Sequence, residues 1–233
     1  MARVIVVGSI NQDVTVTVDR FPAPGETLSG SSLTYGLGGK GANQAAAAAR
    51  SGIPTLFVGA VGTDLAGHSL RTHLAAHGVD VSHLREVDSP SGTALITVAA
   101  SGENTIILDA GANRASSIAH AKASLFPAPS DIVVLQAEIP PAANAAAIEW
   151  AHSFGARVLL NLAPARPIDP TTLSRVDILV VNETEAGLTL GMPAPATPME
   201  AIGVARALRG MGPRHVVVTL GAQGAAWASG AEA

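Results

Sequence analysis

Hydrophobic residues occur along this chain in two different patterns. Continuous apolar runs at Arg3–Val7 and Thr55–Val61 predict strands that are buried on both faces, as in a parallel sheet. Runs of the same kind follow at 132–135, 158–160, 178–181 and 216–220. By contrast, Val14, Val16 and Val18 alternate with polar residues, which is typical of a strand with one exposed face.

Segments between the buried strands have the composition of helices. Gly41–Arg50 is rich in alanine and is stopped by Gly52 and Pro54, and a helix over 64–77 is closed by Gly78. Three more helices are expected near 141–153, 183–190 and 198–211. Repeated strand–helix units predict an α/β fold, a right-handed, doubly wound, mostly parallel sheet flanked by helices.

Two amphipathic strand pairs do not fit this buried sheet. The first pair lies within about 13–37 and includes a returning strand at 28–35. The second pair, Thr93–Ala99 and Thr105–Leu108, lies within about 93–109 and reads as a hairpin. We assign both pairs to a small β-sheet lid on one α/β domain that spans residues 1–233.

Composition narrows the class of function. Charged residues make up 14% of the chain and its net charge is −4, so no basic surface suggests a nucleic-acid partner. Cysteine is absent, which excludes disulfides and thiolate metal sites and fits a reducing compartment. The apolar run at the amino terminus is too short for a signal peptide or a membrane span. We therefore expect a cytoplasmic protein without nucleic-acid or membrane partners.

Polar residues follow five of the predicted buried strands. In an open parallel sheet, ligands bind beyond the carboxyl ends of the strands. The residues at these ends are Asn11, Gln12, Asp13, Gln136, Glu138, Asn161, Asn182, Glu183 and Thr219. Any single Asn or Asp among them has a helix cap as its simplest explanation. Together, the five ends predict a binding site along one edge of the sheet.

A glycine-rich turn precedes the first helix. Gly36–Gly41 has the G-x-G-x-x-G spacing of dinucleotide sites, but the polar stretch before it resembles a lid strand rather than the buried strand that this motif needs. A phosphate P-loop is excluded because Lys40 is followed by Gly41. Free backbone N–H groups, Lys40 and Asn43 remain as a grip for hydroxyls or a phosphate. The alternative is a tight crossover with a solvated lysine.

Two other kinds of site find little support. His73 and His77 have the i, i+4 spacing of a metal-binding helix, but no Glu follows His73, so a solvated helix face is the preferred interpretation. No Gly-x-Ser-x-Gly elbow of the serine hydrolases is present.

In their order along the chain, the motifs resemble those of the PfkB carbohydrate kinases. The segments are Gly8-Ser9-Ile10-Asn11-x-Asp13, Gly38-Gly39-Lys40-Gly41-Ala42-Asn43-Gln44-Ala45, Ala110-Gly111-Ala112-Asn113, Asn161-Leu162-Ala163-Pro164-Ala165, Asn182-Glu183-Thr184-Glu185-Ala186 and Thr219-Leu220-Gly221-Ala222-Gln223-Gly224. The second segment is highly specific, and the resemblance spans essentially the whole chain. It implies a ribokinase-like fold and ATP-dependent phosphorylation of D-ribose at its 5-hydroxyl.

The resemblance also implies roles for individual residues. Contacts with the sugar are implied for Asn11, Asp13, Gly39, Lys40, Asn43 and Glu138. Contacts with ATP are implied for Asn182, Thr219, Gly221 and Gly224, and Glu185 is expected to organise Mg²⁺ through water. The lid strands would close over the sugar and pair across a homodimer. A monovalent cation, K⁺, is expected for full-length members of the family.

One signature of the family has no counterpart in this sequence. A Gly-Ala-Gly-Asp-type segment, which supplies the catalytic Asp and an anion hole, should follow Thr219–Gly224 by some tens of residues, beyond Ala233. We expect the chain as written to lack its C-terminal part and to be inactive, with no catalytic residue of its own. Two alternatives stay open: a PfkB kinase for another sugar or a nucleoside, and a non-catalytic sugar-binding remnant.

Overall fold

The computed structural model describes residues 2–230, which contain twelve strands and six α-helices. In chain order the strands are β1 (Val4–Val7), β2 (Asn11–Val18), β3 (Ser32–Gly38), β4 (Thr55–Gly62), β5 (Val79–Val87), β6 (Gly92–Ala99), β7 (Asn104–Asp109), β8 (Ile132–Gln136), β9 (Arg157–Asn161), β10 (Ile178–Asn182), β11 (His215–Thr219) and β12 (Ala225–Ser229). The helices are α1 (Lys40–Arg50), α2 (Leu65–Ala76), α3 (Pro141–Ser153), α4 (Pro170–Leu173), α5 (Glu183–Leu190) and α6 (Pro198–Gly210).

Eight strands form the large sheet, in the order β12-β11-β10-β9-β8-β1-β4-β5. All neighbours are parallel except β11 and β12, which are antiparallel. The predicted mostly parallel, doubly wound sheet is therefore confirmed. The chain adds β4 and β5 on one side of β1 and later adds β8 to β12 on the other side. Such a reversal of strand order places a ligand crevice at the carboxyl ends of β1 and β8.

Helices cover the large sheet from both faces, which explains why its strands are continuously apolar. Ile5 and Val7 point into the core cluster that contains residues of α3 and α6, whereas Val6 points into the cluster formed with α1 and α2. Because side chains alternate between the faces of a strand, both faces of β1 must be apolar. All three side chains are 0% exposed, so β1 lies at the centre of the fold.

The remaining four strands form a small sheet in the order β3-β2-β6-β7. Strand β2 pairs in parallel with β6, and the two outer pairings are antiparallel. Only Gly8, Ser9 and Ile10 separate β1 from β2, so the small sheet rises directly from the carboxyl end of the central strand. Alternation along β2 places Asn11 and Asp13 on one face of the small sheet and Val14 on the other.

Some elements differ from the prediction. Strand β3 covers Ser32–Gly38 rather than 28–35, because its exposed and glycine-rich sequence carries little hydrophobic periodicity. The two edge strands β5 and β12 were not predicted, since β5 mixes charged with apolar residues and β12 is mostly alanine. Within 2–230, no helix combines the length and the apolar character that crossing a membrane requires.

Candidate functional site

Polar residues at the ends of the central strands line up along one edge of the large sheet. Gln136 pairs in register with Asn161 at the ends of β8 and β9. Asn182 pairs with Thr219 at the ends of β10 and β11. Glu138 follows two residues after β8. The carboxyl edge is therefore polar over four neighbouring strands, as the strand ends in the sequence predict.

The glycine-rich turn packs the start of α1 directly against the segment that joins β1 to β2. A Cβ atom on Gly39 would lie 2.8 Å from the Cα of Ile10, and one on Gly41 would lie 2.7 Å from the backbone N and O of Ser9. Gly39 also has a φ of 89°, which side chains rarely adopt. The strand before this turn, β3, belongs to the small sheet, as the sequence predicts, so the turn lacks the buried strand that a dinucleotide motif needs.

Glu138 supplies the negative charge at the amino terminus of α1. Its Oε2 accepts a hydrogen bond from the Ser9 hydroxyl at 2.6 Å and another from the backbone N–H of Lys40 at 3.0 Å. The N-cap residue Gly39 has no side chain for this purpose, so the carboxylate takes over the capping of an orphan N–H group. No residue within 2–230 donates to the Oε1 of Glu138, and this oxygen is free for a ligand.

Asp13 lies close to this charge but has no donor of its own. A Cβ on Gly38 would lie 1.9 Å from the Asp13 Oδ1, so the carboxylate sits directly over the glycine turn. Burial raises the pKa of Asp13, and the nearby negative charge of Glu138 raises it further. Among the hydrogen bonds of the described chain, none ends on the carboxylate oxygens of Asp13, although its backbone pairs within the small sheet. An acceptor-only group in this state is suited to hydroxyl donors from a ligand.

Two donors of α1 complete this side of the crevice. Lys40 is half-buried, and its ammonium group forms no ion pair in the part of the chain that the structure describes. Asn43 lies in the first turn of the same helix and is exposed. The predicted residues Asp13, Gly39, Lys40 and Glu138 are therefore brought together, with Asn43 in the first turn of α1.

Asn11 differs from the other predicted residues because its side chain is only 3% exposed. Its Oδ1 accepts a 2.7 Å hydrogen bond from the Nδ2 of Asn113. Neither Asn113 nor Ser9 was assigned a site role from the sequence. A signal for both existed, because each lies within a motif that resembles the PfkB pattern.

At the end of β10, Asn182 and Glu185 form a reciprocal capping box on α5. Asn182 Oδ1 accepts from the N–H of Glu185 at 2.7 Å, and Glu185 Oε2 accepts from the N–H of Asn182 at 2.9 Å. The simple cap explanation therefore holds for this pair. The other oxygen of Glu185 makes no such bond. One free carboxylate oxygen fits a water-mediated Mg²⁺ site, because Mg²⁺ usually keeps several waters and needs few protein carboxylates.

Residues 2–230 contain no cluster of three or more His, Cys, Asp or Glu side chains that could hold a metal ion. Direct coordination by a dedicated protein cage therefore has no support in this region.

The turn after β11 requires glycine for its conformation. Gly221 has a φ of 53° and Gly224 a φ of 93°, and both residues are exposed. A Cβ on either glycine would meet no atom within 4 Å, so backbone conformation rather than packing demands them. Thr219 lies at the start of this turn and is exposed as well. The turn therefore exposes its backbone at the carboxyl edge.

A separate apolar cavity lies beside α3. Its volume is about 240 Å³, and its lining includes Ile148, Leu162 and Arg166. Arg166 is half-buried, and burial lowers the pKa of its guanidinium. None of the residues predicted to bind sugar or nucleotide lines this cavity. It is therefore distinct from the polar crevice at the ends of β1 and β8.

Comparison with known proteins agrees with this architecture. The family model of the pfkB family carbohydrate kinases matches residues 1–233. The chain is 38% identical to the ribokinase of Haemophilus influenzae over 221 residues, which are 94% of this chain and 72% of that protein. It is 37% identical to the ribokinase of Bacillus subtilis, covering 100% of this chain and 76% of that protein.

A solved structure has the same fold. The structure of Arabidopsis thaliana ribokinase complexed with ribose and ATP superposes with a TM-score of 0.86 at 33% identity. The superposition covers 100% of this chain and 77% of that one. From the match over the whole sequence, the relatives and the shared architecture, the chain belongs to the PfkB family of carbohydrate kinases.

Proposed function

We propose that this chain forms the sugar- and nucleotide-binding framework of a kinase that transfers phosphate from ATP to the 5-hydroxyl of D-ribose. The observation that carries the proposal is the unpaired Asp13, which faces Glu138 and the start of α1 at the switch point of the sheet. Identities of 37–38% with two ribokinases support ribose as the sugar.

In this proposal, the crevice recognises the sugar through groups that the fold leaves free. Asp13 accepts from two hydroxyls, and the Oε1 of Glu138 accepts from another. Lys40 and Asn43 donate to sugar oxygens from the first turn of α1. Asn11 contacts the sugar from β2, and Gly39 lets the ligand approach the backbone closely.

The nucleotide would lie along the ends of β10 and β11. Thr219, Gly221 and Gly224 would present backbone to ATP, with Asn182 close to the phosphates. Asn182 and Glu185 would hold Mg²⁺ through water, and the ion would neutralise phosphate charge when bound. We also propose that the activity depends on K⁺ and that the catalytic Asp belongs to a Gly-x-Gly-Asp segment. Such an Asp would take the proton of the sugar hydroxyl.

The lid is proposed to close over the sugar and to pair with the lid of a second copy. Cross-strand register places Tyr35, Val14, Leu95 and Ile107 in one row on the face opposite Asp13. Tyr35 is 64%, Leu95 53% and Ile107 71% exposed, which is unusual for a contiguous apolar row. Burial of this row in a homodimer would remove it from water.

Sedimentation velocity tests the dimer. The Leu95→Asp variant should shift the chain from dimer to monomer, whereas Leu65→Asp, at an exposed leucine on α2, should leave the dimer intact. A monomeric unmodified chain at micromolar concentration would overturn the homodimer proposal.

We also propose a cytoplasmic location for the protein, and fractionation of the native host tests that location.

The activity is tested by ADP release with ribose, 2-deoxyribose, fructose and adenosine. The assay uses a longer form of the protein that includes the Gly-x-Gly-Asp segment at its family position, and calorimetry measures ribose binding to the 233-residue chain in parallel. We expect clear preference for ribose. Preference for another acceptor would support a different PfkB kinase, and ribose binding without turnover in both chains would support a non-catalytic sugar-binding protein.

A further inference from the structure

The junction between β1 and β2 is held by one buried side chain from a distant segment. Asn113 is 1% exposed and lies in a short 3-10 turn over Gly111–Ala115. Its Oδ1 accepts from the N–H of Ile10 at 3.0 Å, and its Nδ2 donates to the Ile10 carbonyl at 3.1 Å. The second proton of Nδ2 goes to the Oδ1 of Asn11 at 2.7 Å. Asn113 thereby uses both donor protons and its acceptor oxygen.

These bonds fix the orientation of two side-chain amides in turn. The backbone N–H of Ile10 can only donate, so the oxygen of Asn113 must face it. The nitrogen of Asn113 must then face Asn11, and Asn11 must offer its oxygen. The NH₂ group of Asn11 is left on the opposite side. In the described chain no residue accepts a hydrogen bond from this nitrogen. The nitrogen is also not fully enclosed by protein, so a ligand can reach it.

The two amides are tightly packed against the backbone of β6. Gly92 pairs with Asn11 across β2 and β6. A Cβ on Gly92 would lie 2.2 Å from the Nδ2 of Asn113 and 2.3 Å from the Oδ1 of Asn11. The 3-10 turn is itself fixed, because the N–H of Ala112 donates to the Pro90 carbonyl at 2.8 Å. Asn113 therefore holds the first residues of the lid strands β2 and β6 next to the end of β1.

We propose that Asn113 is a positioning residue of the sugar site. It fixes the Asn11 amide so that the NH₂ group faces the crevice and donates to an oxygen of the sugar. Asp13, two residues further on the same face of β2, can only accept. Asn11 thus requires a hydrogen-bond acceptor from the ligand. Asp13, the next residue on the same face of β2, requires a donor. This inference rests on the proposed function, since it concerns recognition of the same sugar.

The Asn113→Asp variant tests this inference at nearly constant side-chain volume. One oxygen of the new carboxylate still accepts from Ile10, while the other confronts the oxygens of Ile10 and Asn11. Asn11 must then turn over, donate to residue 113 and present its oxygen to the crevice. Ribose affinity should fall about tenfold or more, and ATP affinity should stay within about twofold.

A double-mutant cycle separates positioning from a general loss of structure. Once Asn11→Ala has removed the amide, adding Asn113→Asp should weaken ribose binding by no more than about twofold. Asn144→Asp is the control, since Asn144 is 7% exposed and its 2.7 Å bond to the Gln136 carbonyl involves none of the residues proposed to contact the sugar. It should lower stability without changing ribose affinity.

A second variant keeps the inference testable should Asn113→Asp fail to fold. Asn11→Asp can still accept from Asn113 but presents an oxygen to the crevice, so ribose affinity should again fall about tenfold or more. Unchanged affinity in this variant, or equal losses from Asn113→Asp with and without Asn11, would overturn the inference. Absence of ribose binding to the unmodified chain would instead contradict the proposed function.

Discussion

Two aspartates near opposite ends of the central strands have opposite surroundings. At the amino end, Asp131 is fully buried and accepts from the N–H of Arg3 at 2.9 Å, the Arg3 guanidinium at 3.1 and 2.7 Å, and the N–H of Ala128 at 2.9 Å. At the carboxyl end, Asp13 is half-buried and its carboxylate receives no hydrogen bond from residues 2–230. One carboxylate is saturated by the protein, and the other is left for a ligand.

The pKa of each group follows from these surroundings. Burial alone would raise the pKa of Asp131, but hydrogen bonds from Arg3 and Ala128 and the charge of Arg3 together hold it below its ordinary value. Burial and the charge of Glu138 raise the pKa of Asp13, with no donor to oppose them. Ionised Asp131 therefore stabilises the fold, whereas ionised Asp13 costs stability until hydroxyl donors bind it. The difference separates a carboxylate that stabilises the fold from one that we propose binds the sugar.

The largest expected effect is on stability, at Asp131. Asp131→Asn leaves the Arg3 guanidinium without its charged partner and should lower the free energy of unfolding by about 3 kcal/mol. Urea denaturation measures this loss. Asp109→Asn is the matched control, because its ion pair with Arg114 is exposed and should contribute less than about 1 kcal/mol. Equal losses at both positions would contradict the structural role of Asp131.

The next effect is on binding, at Asp13. Asp13→Asn removes a charged acceptor and should weaken ribose binding about 10- to 100-fold while ATP binding is retained. Because the substitution also removes repulsion from Glu138, the free energy of unfolding at neutral pH should stay the same or rise. Calorimetry with each ligand and urea denaturation provide the three values. Equal losses of ribose and ATP affinity would show that Asp13 is structural.

The pH dependence of ribose affinity sharpens the comparison further. The ionised form of Asp13 accepts from hydroxyls, so affinity should fall as pH drops through its raised pKa, approaching tenfold per pH unit below it. The pH dependence of stability has the opposite sign, because the native state holds this proton more tightly than the unfolded chain does. The fold therefore loses stability as pH rises from the ordinary pKa to the raised pKa of Asp13. Titrations from pH 4 to pH 8 should show the fall in affinity, and Asp13→Asn should not. The same pH profile of ribose affinity in the unmodified protein and in Asp13→Asn would assign the titration to another group.

The smallest effect concerns the capping box of α5. Asn182→Ala removes the acceptor for the N–H of Glu185 and should cost about 1 kcal/mol of stability. If Asn182 also lies near the phosphates, affinity for Mg²⁺–ATP should fall in the same variant. Thr197→Ala, at the N-cap of α6, is the control, with a similar loss of stability and unchanged nucleotide affinity. Loss of nucleotide affinity in the control would remove the proposed role of Asn182.

The sequence predicts the parts of the molecule in which local pattern and environment agree. Strands β1 and β4 are buried on both faces, so their apolar runs are unambiguous. Edge strands such as β5 and β12 have one open side and lack that signal. Asp13 and Glu138 were predicted because each follows an apolar run, and Asp13 also lies within a recognisable motif. Polar strand ends thus locate the crevice without any knowledge of its contacts.

Contacts between distant residues have no such signature. The hydrogen bond from Asn113 to Asn11 joins positions 102 residues apart, and that from Ser9 to Glu138 joins positions 129 apart. No hydrophobic period or turn rule connects them. The side-chain orientations that these bonds impose therefore follow only from the folded chain.

A crystal structure of the chain with bound D-ribose tests the location of the sugar most directly. We predict a pentose between Asp13 and the free oxygen of Glu138, with its hydroxyls within about 3 Å of these carboxylates. Ribose found only in the apolar cavity beside α3, next to Arg166, or in no site at saturating concentration, would contradict the assignment of the crevice.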